Sequence, residues 1–97
     1  MKSLHRRVCD AVAAGRYRVS LHALERLEER QIELWQIEAG TAQGRLLTSR
    51  PKTQPNPSIV IEFELSDGTL VAAVWAWLPT PEQAKLVTAY FPLSGET

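Results

Sequence analysis

The segment Ser20-Leu21-His22-Ala23-Leu24-Glu25-Arg26-Leu27-Glu28-Glu29-Arg30 gathers the side chains best suited to chemistry. At about 100° per residue, a helix over this segment puts Leu21, Leu24 and Leu27 on one side and His22, Glu25, Arg26 and Glu29 on the other, with Arg30 on the flank. Imidazoles exchange protons near neutral pH and serve as acid or base. Guanidinium groups stay charged and hold phosphate oxygens with forked donors. Cleavage of RNA by its own 2′-hydroxyl needs a base, positive charge at the phosphorane-like transition state and an acid for the leaving oxygen. His22, Arg26 and Arg30, at successive steps of four, match that list, with Glu25 or Glu29 able to orient the imidazole. The same residues also describe a salt-bridged, solvated helix face.

A second group lies near the end of the chain, in Leu86-Val87-Thr88-Ala89-Tyr90-Phe91-Pro92. Strand alternation puts Leu86, Thr88 and Tyr90 on one face and Val87, Ala89 and Phe91 on the other. Thr88 and Tyr90 can donate to a phosphate, and Tyr90 can stack on a base; both are also ordinary strand formers. Trp75 reads as core, and Trp77, near a strand end, as a residue flanking a site or a partner surface. His5 and Cys9 stand four apart on a helix, but no recognised metal-ligand spacing, glycine-rich phosphate loop or nucleophile elbow occurs. No metal or cofactor is therefore expected.

The elements that must position these groups follow from periodicity. Leu4, Val8, Ala11 and Val12 predict a first helix over residues 3–14, with Gly15 at its C-terminal end. Tyr17-Arg18-Val19 reads as an extended link, and Ser20 as the N-cap of the second helix, which ends near Arg30-Gln31. Leu34, Trp35 and Ile37 predict a short third helix stopped by Gly40 or Gly44. From Arg45 the period changes to two: a strand over Arg45–Ser49, a proline-rich loop over Arg50–Pro57, a strand from Ile59 to Leu65 with one mostly wet face, and an Asp67-Gly68 hairpin turn. Leu70 to Leu78, apolar on both faces, is a central strand, and Ala84 to Phe91 closes the sheet. The expectation is a single α+β domain over residues 1–97, with two to three N-terminal helices packed on a four-stranded, mainly antiparallel sheet.

Bulk properties narrow the partners. The 97 residues suffice for one modest core. The apolar run Leu70–Leu78 is too short for a membrane span, which takes about 20 residues as a helix. One cysteine and no apolar leader fit a cytoplasmic protein. The net charge of zero and the lack of a basic stripe argue against duplex DNA. The charge is unevenly placed: residues 1–50 carry nine Lys/Arg and six Asp/Glu, and residues 51–97 two and five, so a mild positive field covers the helical half.

The pattern S-x-H-A-x-x-R-x-x-x-R followed by isoleucine (Ser20, His22, Ala23, Arg26, Arg30, Ile32), with a closing T-x-Y-x-P (Thr88, Tyr90, Pro92), resembles a family of small bacterial domains of unknown function. That family is grouped with the RelE/ParE-like toxins and the barnase–colicin–RelE nuclease fold. The resemblance runs from about Tyr17 to Pro92. It implies a RelE-like scaffold on which the helix face and last strand share a cleft, with His22, Arg26, Arg30 and Thr88 catalytic and Tyr90 and Glu29 contacting substrate. It further implies a toxin-type, metal-independent endoribonuclease, RNA or the ribosome as target, and a cognate antitoxin protein as partner. The competing expectation is a non-catalytic protein-interaction module on the same fold, binding through Trp77 and an exposed strand edge.

Overall fold

A computed structural model describes residues 2–94. Three helices, α1 (Leu4–Ala13), α2 (Leu21–Arg30) and α3 (Leu34–Gln43), and five strands, β1 (Tyr17–Val19), β2 (Arg45–Arg50), β3 (Ser58–Glu64), β4 (Leu70–Pro79) and β5 (Glu82–Tyr90), form one α+β unit that ends in a short 3-10 turn at Pro92–Ser94. The sheet order is β1-β5-β4-β3-β2. Strands β2 to β5 form the expected antiparallel meander, while β1 lies parallel to β5 with Tyr17 opposite Ala84 and Val19 opposite Leu86. The sheet thus has five strands rather than four. Three residues are too few for alternation to distinguish a strand from a link, and a parallel partner more than sixty residues away leaves no local trace.

Core packing follows the apolar pattern. Ile59, Ile61 and Phe63 of β3, Val71, Ala73, Trp75 and Trp77 of β4, and Ala84, Leu86 and Ala89 of β5 meet Val8, Ala11 and Val12 of α1 and Ile37 of α3. Trp77 is 6% exposed, so it belongs to the core and cannot present a partner surface. Trp75 is fully buried, and its indole N–H donates to Thr41 Oγ1 at 3.0 Å, while that hydroxyl donates to Ile37 O at 2.7 Å. In this relay the indole N–H and the threonine hydroxyl are both satisfied, which is what burial in a low-dielectric interior requires. A Cβ built on Gly40 would fall 2.2 Å from the Phe63 ring, so α3 approaches β3 as closely as it does because position 40 has no side chain.

The face of the sheet turned away from α1 and α3 is drier than alternation implied. Val60 is 5% exposed and Ala72 fully buried. On β5 the alternation also breaks. Val74 pairs with Thr88 but Trp75 with Leu86, which leaves Val87 as the extra residue of a β-bulge. Leu86 and Ala89 therefore share the core face. Thr88 and Tyr90, opposite Val74 and Ala72, share the other, so the expected Leu86–Thr88 pairing on one face is corrected.

Candidate functional site at the α2–β5 margin

Helix α2 is tied to β5 at both ends. Ser20 caps it, its hydroxyl accepting from Ala23 N at 3.0 Å and donating to Val87 O at 3.0 Å, and Ser20 N donates to Leu86 O at 3.0 Å. At the other end, the Arg30 guanidinium lies over the Phe91 ring, 5.9 Å from its centroid. The helix then terminates through Gln31, whose backbone is left-handed (φ 55°, ψ 41°). From Ser20 to Arg30 is about 15 Å at 1.5 Å per residue. From Val87 to Phe91 is about 13 Å of strand. The two elements therefore run side by side in the same direction. Arg26 lies about 9 Å along the helix, and because helical side chains lean toward the N-terminus, its guanidinium comes level with Thr88 and Ala89. His22, one turn earlier, comes level with Val87.

The buried stripe of α2 is not the leucine stripe. Leu21 is 73% and Leu24 50% exposed, whereas Ala23 is fully buried and Leu27 is 5% exposed. Arg26 and Arg30, expected on or beside the wet face, have side chains only 30% and 10% exposed. The helix sits on the sheet margin through a small residue, one leucine and the largely buried side chains of two arginines, whose methylene stems cover apolar surface. Alternation of polar and apolar types cannot show this, because it scores arginine as wholly polar. On the flank beside this stripe lie His22, Arg26 and Glu29; His22 is exposed and makes no hydrogen bond or ion pair among the described residues.

The electrostatics of the margin centre on one carboxylate. Glu29 Oε2 accepts from Arg26 Nη1 at 2.5 Å and lies 4.0 Å from Arg30 Nη1. That contact leaves Arg26 Nε buried without a hydrogen-bond partner. Thr88 Oγ1 is in the same state, and among the described residues these are the buried side-chain polar atoms left unpaired. An unmade hydrogen bond at a buried donor costs about 1–3 kcal/mol, so such atoms are uncommon in folded chains. Both belong to residues singled out by type and spacing, on two separate elements that the fold packs together. Tyr90 stands two residues from Thr88 on the same sheet face and is half-buried. This margin holds an unpartnered guanidinium nitrogen on α2 and an unpartnered hydroxyl on β5, with an exposed imidazole on the first turn of the same helix.

His5 and Cys9 do not add a metal site to this margin. Cys9 Sγ donates to Thr41 O at 3.6 Å, burial pushes the thiol above its ordinary pKa, and among the described residues no group of three or more His, Cys, Asp or Glu side chains is placed to hold a metal ion. A feature that sequence reasoning missed is Trp35, which is 65% exposed and lines a cavity of about 490 Å³ between α3 and β3. Its only sequence signal is a tryptophan in the first turn of a helix, which reads equally as core. No helix among the described residues is long and apolar enough to cross a membrane.

A family model described as a domain of unknown function, DUF4258, matches residues 19–91, most of the chain and the whole of the α2–β5 margin. No curated protein and no solved structure matches this chain.

Proposed function

The chain belongs to the DUF4258 family, and on that premise we propose that it is an endoribonuclease of the RelE-like toxin type, with its active site at the α2–β5 margin. The observation that carries the reading is the pair of unpartnered buried donors, Arg26 Nε and Thr88 Oγ1, on elements packed side by side. A phosphodiester oxygen satisfies both. In the transition state the charge on the phosphorane oxygens grows, and donors already fixed in a low-dielectric setting stabilise it most. Arg30, held on Phe91, adds charge at the rim, and Tyr90 and Glu29 contact the flanking nucleotide. His22 takes the proton of the 2′-hydroxyl as the 2′-O–P bond forms. The P–O5′ bond breaks, water protonates the leaving oxygen, and the products are a 2′,3′-cyclic phosphate and a 5′-hydroxyl. A protein encoded as its antitoxin would act by covering this margin.

The test is cleavage of single-stranded RNA and of ribosome-bound message by the full chain, with product ends mapped. We expect cyclic-phosphate ends, loss of about 10²-fold or more in His22→Ala and Arg26→Ala variants, and no cleavage of an all-2′-deoxy substrate. Failure of the parent chain to cut either substrate would remove the nuclease reading, and retention of full activity by both variants would remove the site.

A further inference from the structure

The second feature with unexplained exposure is at the opposite edge of the sheet, and it owes nothing to the nuclease reading. Strand β2 is an edge strand, and the outward backbone groups of residues 46–49 have no backbone partner among the described residues. Unpaired edges accept a further strand unless blunted. Here Leu46 and Leu47 are each 40% exposed, and on the first turn of α3 Leu34 is 36% and Trp35 65% exposed, so β2 and the start of α3 carry four open apolar side chains. Trp35 and Arg45, the first residue of β2, line the same cavity, with Phe63, Leu65 and Leu70 as apolar lining and Glu62 and Glu64 beside them. A side chain of the right size can therefore leave an added strand and enter a ready-made recess.

Charge decides the occupant. From Arg45 to Ile61 the chain carries Arg45, Arg50 and Lys52 and no acidic residue. Arg45 is already paired with Glu62, its Nε and Nη2 at 3.0 and 2.9 Å from Glu62 Oε1, whereas Arg50 and Lys52 have no ion pair among the described residues. A second copy of this chain added by two-fold symmetry would run antiparallel and set Arg45 against the other copy's Arg50 at both ends. Like charges directly opposite each other across a strand pair are destabilising. The β-bulge at Leu47 further interrupts the regular ladder that an open-ended stack needs. We propose that β2 and the Trp35 recess form a docking surface for an extended, acidic segment of a different protein, which adds a strand beside β2, sets carboxylates near Arg50 and Lys52, and seats an apolar side chain against Trp35.

The experiment selects binders from a displayed library of random twelve-residue peptides on the full-length chain, then maps a synthetic peptide of the strongest clone on amide spectra. The expected peptides alternate apolar and acidic residues, shift the amides of residues 45–50, and shield Trp35 from acrylamide; Trp75 and Trp77 are buried and contribute little to that signal. N-methylation of the peptide's alternate amides should abolish binding, as strand addition requires. The exposed double variant Arg50→Glu/Lys52→Glu should weaken the acidic peptide at least tenfold and favour its lysine counterpart. Selected peptides that are basic, or whose shifts fall outside β2 and α3, would overturn the proposal. Concentration-dependent dimers that bury Trp35 would assign the surface to a second copy instead.

Discussion

Replacing Thr88 by valine separates the needs of the fold from those of the site. The hydroxyl oxygen of Thr88 is buried and lacks a partner, so the folded chain carries the cost of having stripped it of water. That cost is about 1–3 kcal/mol for a buried polar group, and Thr88 is only half-buried, which places it near the lower bound of about 1 kcal/mol. Valine is nearly isosteric and β-branched, so strand fit opposite Val74 is retained while the cost is removed. For a domain of this size, about 1 kcal/mol raises Tm by about 4–8 °C. Thermal and urea unfolding followed by circular dichroism would register that gain. If the hydroxyl donates to the scissile phosphate in the transition state, the same variant loses about 10²–10³-fold in RNA cleavage. Most substitutions destabilise, so a variant that is firmer and inactive carries specific information. A drop in stability would show that the hydroxyl is already satisfied and refute the premise. A stable variant with unchanged cleavage would leave the orphan atom real but remove it from the chemistry.

The other expectations can be checked on the same material. Gly40→Ala should destabilise by about 1–3 kcal/mol in urea titrations, because its methyl meets the Phe63 ring, and neither α3 nor β3 can retreat without opening the core; a neutral result would mean that the helix is free to shift. The Tyr17 phenol, half-buried on β1 against α3, is pushed up to about 12 by burial and by its hydrogen bond to Glu38. The folded state thus binds this proton more tightly than the unfolded state. Its contribution is complete below pH 10 and lost as pH rises toward 12, and Tyr17→Phe should flatten that alkaline loss in chemical-denaturation profiles. Gln31→Gly should stabilise by about 1 kcal/mol, since a side chain in the left-handed region is strained and glycine is not. RNA binding at a site with two arginines should show a shallow salt dependence, with log K falling against log salt with a slope of about −1.4. A slope several times steeper would place the interface elsewhere.

Much of the fold was legible because its signals are local. Helix α1 ends at Ala13, two residues before Gly15 with φ 77°, and the Asp67-Gly68 turn closes β3 onto β4 where the hairpin dipeptide predicts. Of the residues chosen by type and spacing, Arg26 and Thr88 are the ones whose buried polar atoms go unpartnered. What could not be read is which way elements turn once packed. The rotation of α2 depends on Ala23 permitting close approach and on arginine stems acting as apolar surface, neither of which is visible to a polar–apolar pattern. The Val87 bulge reverses the expected partners on β5 by one residue, and nothing local in Leu86-Val87-Thr88 announces it. Trp77, expected to flank a site or partner surface, is buried, while Trp35, to which no role was assigned, is open, because exposure of a tryptophan depends on how far the neighbouring element reaches.

The two ends of the sheet differ in how completely their polar groups are met, and that contrast bears on where function lies. Around α3 and β4 the Trp75 indole, the Thr41 hydroxyl and the Ile37 carbonyl close on one another, Tyr17 meets Glu38, and the Tyr17 and Trp75 rings pack edge to face 5.7 Å apart. Those buried polar groups are met within the fold. Along α2 and β5 local rules are broken together: arginine stems replace leucines in the buried stripe, a non-glycine residue ends the helix left-handed, a bulge interrupts the strand, and two donors go unmet. A chain whose core is otherwise consistent from propensity to packing has no structural reason to concentrate its exceptions along one margin. Stability alone would be better served by leucine, valine and glycine at those positions. That each exception sits within reach of the same stretch of β5 is the strongest physical argument that this margin answers to something outside the fold.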